Sequence, residues 1–90
     1  MCKICEQIET VKNFESPMEY INTLKYIQKL VDSGKFQFRF LKYETDKVLN
    51  EDGKWVDDVI THKIECKTCG QIFNCTAITY HGGGSFEIED

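Results

Sequence analysis

The chain has 90 residues, of which 41% are hydrophobic and 29% charged, and it carries a formal charge of −4. That composition suits one folded domain spanning residues 1–90 with a modest core, and it is too apolar for an intrinsically disordered chain. The acidic balance, without a Lys/Arg cluster, argues against nucleic-acid binding. No apolar run is long enough to span a bilayer or serve as a secretory leader, so a cytoplasmic protein with no membrane contact is expected.

Residues 1–15 form a short charged lead-in carrying Cys2-Lys3-Ile4-Cys5. Ser16-Pro17-Met18-Glu19 then supplies a helix start. Ser16 can cap the amide of Glu19, Glu19 can reach back to the amide of Ser16, and Pro17 at the first helical position gives up an N–H that would have no partner there. Met18, Ile21, Leu24, Ile27, Leu30 and Val31 recur at three- to four-residue spacing and predict one apolar stripe along about four turns. Gly34 follows as a left-handed stop.

From Phe36 the period changes to two, with Phe36, Phe38 and Phe40 on one side of a predicted strand. Asn50-Glu51-Asp52-Gly53 reads as a hairpin turn and Trp55 to Glu65 as a second strand. On that strand Ile60, His62, Ile64 and Cys66 share a face, and Asp57-Asp58 marks an irregularity or bulge. Gln71 to Tyr80 is rich enough in β-branched and aromatic residues for a third strand, and Ser85 to Ile88 makes a fourth beyond the flexible turn Gly82-Gly83-Gly84. The expected fold is α+β, with one N-terminal helix packed on a three- to four-stranded antiparallel meander.

Five cysteines in so short a chain ask for a staple. A reducing cytosol disfavours disulfides, and an odd count pairs poorly. Two Cys-x-x-Cys pairs suit a metal, because each lets the backbone wrap one ion with two sulfurs while nearby amides point at the thiolates. Gly70 after Cys69 gives the second pair the form of a zinc knuckle, since it relieves the turned backbone. The reading is one structural Zn²⁺ held by Cys2, Cys5, Cys66 and Cys69. Closing the loop of about 60 residues between the pairs costs about 3.6 kcal/mol in chain entropy. Structural zinc binds with roughly 10–16 kcal/mol, which exceeds that cost.

The competing readings of these residues are reduced, unrelated pairs or a redox-active pair. Redox chemistry favours a thiol at a helix N-terminus in a βαβ setting, which neither pair has. Cys75, between Phe73 and Ala77 on one strand face, reads as a small buried hydrophobe rather than a reactive thiol or substitute ligand. His62 and His81 read as ordinary core-edge or surface histidines, although either type can bind zinc. Asp57 and Asp58 point to opposite faces and read as a solvated turn or bulge. Gly82-Gly83-Gly84 lacks the Lys-Ser/Thr of a phosphate loop. Trp55, Tyr43 and Tyr80 are core aromatics, or interface anchors where exposed.

Cys-x-x-Cys-Glu at the start, the capped helix, and Cys66-Lys67-Thr68-Cys69-Gly70-Gln71-Ile72-Phe73-Asn74-Cys75 followed by Tyr80-His81-Gly82-Gly83-Gly84-Ser85-Phe86 together resemble a group of small uncharacterised bacterial proteins with a zinc-ribbon-like cysteine arrangement. The resemblance covers nearly the whole chain. Zinc ribbons place both knuckles on β-hairpins, whereas here a helix and a long insertion follow the first.

A closed four-sulfur shell leaves no position for water or substrate, so a catalytic metal is not expected. Four thiolates around a divalent ion add a net −2 and take the chain to about −6. The functional expectation is a non-enzymatic module that binds a protein partner of basic charge, as immunity or antitoxin proteins of this size do. The alternative is a thiol-based redox enzyme using a Cys-x-x-Cys pair or Cys75.

Overall fold

The structure, a computed structural model, describes residues 2–80 and 82–89. His81, one of the candidate ligands, lies outside the described residues. The lead-in begins with one helical turn, α1 (Lys3–Glu6), and the main helix is α2 (Pro17–Asp32). Four strands follow, β1 (Phe36–Leu41), β2 (Val59–Cys66), β3 (Ile72–Ile78) and β4 (Gly84–Glu89), in a purely antiparallel sheet ordered as in the sequence. The α+β meander expected from the sequence is therefore the fold, with four strands rather than three.

The capping signal places the start of α2. The Ser16 Oγ accepts from the Glu19 amide at 3.1 Å, while the Glu19 carboxylate accepts from the Glu15 amide at 3.1 Å, one residue before the predicted partner. The buried face of α2 carries Tyr20, Thr23, Leu24 and Ile27. This corrects the predicted stripe at Met18, which is 63% exposed; Ile21 is half-buried. The helix turns its Tyr20–Leu24–Ile27 side to the sheet because the tyrosine ring reaches Phe14 and Trp55.

On β2 and β3 the alternation is strict: Ile60, His62 and Ile64 face inward, paired in register with the inward Ala77, Cys75 and Phe73, and Cys66, also inward, pairs with Phe36 of β1. On β1 the alternation fails, because the pairing with β2 jumps between Phe38 and Phe40 and leaves Arg39 as an extra residue. This bulge turns Phe40 outward, 49% exposed, so it does not join Phe36 in the core. The irregularity expected at Asp57-Asp58 instead ends a connection, and β2 starts at Val59 rather than Trp55. The Asn50–Gly53 turn is present, with the Asn50 side chain accepting from the amides of Asp52 and Lys54 at 2.9 and 3.0 Å. It folds the β1–β2 connection back on itself through the Leu49–Trp55 bridge and does not join two strands of the sheet.

Gly84, where β4 leaves the glycine turn, has φ +123°, and a Cβ there would collide with the Thr76 carbonyl oxygen of β3. The two strands therefore close on each other only through glycine. The outer edge of β4 is covered by the lead-in: Val11 and Phe86 exchange two backbone hydrogen bonds of 2.8 Å, and the Phe14 amide donates to the Gly84 carbonyl at 2.9 Å. Among the described residues, no helix is long and apolar enough to cross a membrane.

Candidate metal centre

The two Cys-x-x-Cys segments reach the same place by different local structures. In the first, the α1 turn is closed by the Glu6 amide on the Cys2 carbonyl at 3.1 Å, which puts Cys2 and Cys5 on one side of a single helical turn. In the second, Cys66 ends β2 and the chain reverses through Gly70, whose φ of +78° lets its amide reach the Cys66 carbonyl at 2.8 Å. The Cys66 amide donates to the Gln71 carbonyl at 2.9 Å, locking this reversal to the start of β3.

All four Sγ atoms lie within 4.8 Å of one another. The cross-segment distances are 3.7 Å for Cys2–Cys66 and 3.4 Å for Cys5–Cys69. Four sulfurs placed tetrahedrally about 2.3 Å from a zinc ion would be separated by about 3.8 Å, so the cage has the dimensions such an ion requires. The spacings are far longer than the roughly 2 Å bond of a disulfide, and all five cysteines are free. Cys5 and Cys66 are buried, Cys2 half-buried and Cys69 exposed. No other cluster of three or more such donors occurs among the described residues.

The electrostatics of the cage favour anionic sulfur on the knuckle side. The backbone amides of Gln71 and Cys2, and then the Cys5 thiol, draw the Cys69 thiol down to about 6. Burial is the largest influence on Cys66 and opposes its ionisation, but the amides of Cys69 and Thr68, with the Cys5 and Cys2 thiols, together bring that thiol below its usual value. Burial, reinforced by hydrogen bonding to the Cys69 thiol, raises Cys5. Amides aimed at sulfur are what a thiolate–metal site needs around its ligands. The Cys2 amide reaching Cys69 adds a link between the two segments. The cluster can hold a metal ion.

Compared with known proteins, the chain has no match among family models, curated proteins or solved structures. The site must be read from its own chemistry.

Neither Cys75 nor His62 joins the sulfur cluster. Cys75 is fully buried in β3, and burial pushes its thiol up to about 12, which leaves it protonated and unreactive. His62 sits opposite it on β2, 1% exposed. Its Nε2 lies 2.7 Å from the Tyr43 carbonyl oxygen, which fixes the proton on Nε2, and Nδ1 is buried without a partner. Burial, only partly offset by that bond, holds the imidazole below its usual value. The Tyr20 hydroxyl is likewise buried without a partner.

Asp57 and Asp58 do not make a carboxylate pair. The Asp57 carboxylate accepts from the Asp58 amide, the Tyr43 hydroxyl and the Lys42 ammonium at 2.8, 3.2 and 3.4 Å. The Asp58 amide first, then Tyr43, hold it below the usual carboxylate range. Both backbone carbonyls accept from the Thr79 hydroxyl, which pins this loop to the end of β3. Trp55 is half-buried beside Tyr20, whereas Tyr80 is 67% exposed.

Sequence reasoning missed the α1 turn, although Cys-x-x-Cys at i and i+3 fits one helical turn. It also missed the aromatic group of Phe14, Tyr20 and Trp55, which comes from three separated segments and leaves no local signal.

Proposed function

We propose that the four sulfurs hold one structural Zn²⁺ and that the protein is a non-enzymatic, cytoplasmic binding module for a basic protein partner. The observation that carries this reading is the closed cage of Cys2, Cys5, Cys66 and Cys69, with amides directed at its sulfurs. Four thiolates select a soft or borderline ion and complete its shell, which leaves no open position for a metal-bound water. The role of the ion is to fix the lead-in against the β2–β3 turn. The net charge of about −6 in the metal-bound form favours a basic partner, as in an immunity or antitoxin pair, by speeding encounter.

The test is metal analysis of protein purified without chelator, followed by capture of partners from the native host and association kinetics at low and high salt. One zinc per chain and an association rate that falls steeply with salt support the reading. Less than half an equivalent of metal removes its foundation.

One observation favours a second reading. Cys69 is exposed and its thiol is drawn down to about 6, as in a redox-active pair. A redox pair would leave its thiols free of zinc and cycle with a dithiol reductant, so the same metal analysis separates the two.

A further inference from the structure

A cleft of about 480 Å³ lies between the segment leading into α2, the Trp55 segment of the β1–β2 connection, and the β3–β4 corner. Its walls include Phe14, Tyr20 and Trp55, with ring centroids 5.3 and 5.6 Å apart and planes tilted by 53° and 50°. Phe14 and Tyr20 are buried, and Trp55, on the lining, is half-buried. Among the described residues, the one charged residue on the lining is Glu15, which is exposed and whose carboxylate has neither a hydrogen bond nor an ion pair. Among the described residues, no lysine or arginine lines the cleft.

An anion does not fit, despite the helix N-terminus nearby. Ser16 already takes the Glu19 amide and the Glu19 carboxylate takes the Glu15 amide, and the negative charges of Glu15 and Glu19 offset the positive end of the helix. What remains is an aromatic wall beside an unpaired carboxylate. That combination suits a flat cation, which can lie on an indole face while its N–H groups donate to the acid.

We infer that this cleft receives an arginine side chain of the protein partner, its guanidinium stacked on Trp55 and donating to the Glu15 carboxylate. The assignment deepens the basic-partner reading and rests on it for the identity of the macromolecule, but the chemistry of the cleft is testable alone. It is separate from the sulfur cage, since no cysteine lines it.

Trp55 is the single tryptophan of the chain, so its emission reports directly on occupancy. The experiment titrates the metal-replete protein with blocked Gly-Arg-Gly and with its citrulline counterpart, which has nearly the same shape and no charge. Amide chemical shifts of Thr79 and Gly83 serve as a second readout. Saturable quenching by the arginine peptide, with citrulline at least about tenfold weaker and Glu15→Gln costing about three- to tenfold in affinity, is expected. Glu15 is exposed, so this variant should fold normally, and unchanged shifts away from the cleft verify it. Absence of a saturable response up to roughly 10 mM, or an equal response to citrulline, overturns the assignment. If a basic native partner binds wild type and Glu15→Gln equally while the peptide is inert, the cleft assignment fails and the basic-partner reading survives. If the peptide binds as expected and the host yields no basic partner, the cleft assignment stands and the basic-partner reading fails.

Discussion

Removing the metal should loosen the lead-in, residues 2–15, before the sheet. An ion in the cage would close a loop of about 60 residues between Cys5 and Cys66, and releasing that closure would favour the unfolded chain by about 3.6 kcal/mol. Without the ion the lead-in is held by the Val11–Phe86 pair, the Phe14 amide on Gly84, the Glu9 amide on the Tyr26 hydroxyl at 3.2 Å, and the packing of Phe14 against Tyr20 with Ile8 and Val11 at the edge of the core. The sheet itself is continuous and keeps its register. Because the binding energy of the ion is lost as well, this closure figure is a floor, and a loss of at least about 3–4 kcal/mol is expected on chelation, which for a domain of this size lowers Tm by at least about 12 °C. The assay is thermal unfolding followed by far-UV circular dichroism, on protein whose zinc content has been measured, before and after a strong chelator. Hydrogen exchange should show protection lost first at residues 2–15. Cys69→Ser should reproduce both effects. A metal-replete sample whose Tm moves by less than about 5 °C, with protection at residues 2–15 unchanged, would refute the claim that the cage anchors the lead-in.

The buried His62 predicts an acid weakness. Its folded form resists the proton, so its contribution is complete above the ordinary histidine value of 6.5 and is lost as pH falls below it, where the unfolded chain binds a proton that the folded one refuses. Urea midpoints between pH 7.5 and 5.5 should fall more for wild type than for His62→Leu, a comparison that subtracts the acid sensitivity of the metal site; parallel lines would contradict it. Gly84→Ala should cost about 2–4 kcal/mol, because the added methyl meets the Thr76 carbonyl at a positive φ, and chemical denaturation measures it. Cys75→Ser should retain one zinc per chain while losing about 1–3 kcal/mol, since the hydroxyl enters a fully buried site. No salt-dependent shift of duplex DNA or RNA is expected at micromolar protein in a gel assay, in keeping with the acidic surface.

Local signals in the sequence were strong where one physical cause acts alone. Ser16-Pro17-Met18-Glu19 fixed the start of α2 to the residue, because capping involves neighbours only. Alternation on β2 and β3 survived because both strands are interior to the sheet, with a paired strand on either side to hold the register. It failed on β1, an edge strand with a partner on one side, where an extra residue at Arg39 is tolerated. The helix stripe was right from Ile21 to Val31 and wrong at Met18, because hydropathy favours Met18 over Tyr20 whereas packing rewards the ring that can touch Phe14 and Trp55. The meeting of the two cysteine pairs was legible from their spacing and the Gly70 turn. The cover that Val11 lays on β4 was not, since a single bridge has no periodicity.

That cover bears on how the molecule behaves in a crowd of its own copies. An open strand edge offers unpaired amides and carbonyls to any other chain, and this sheet has two edges. The β1 edge is interrupted by its bulge, and the β4 edge is occupied by the segment ending at Phe14. Loosening that segment would bare the edge from Gly84 to Glu89, next to the Phe73–Phe86 pair. The first sign of a lost N-terminal anchor would then be concentration-dependent self-association, seen in light scattering at temperatures where circular dichroism still reports a folded sheet.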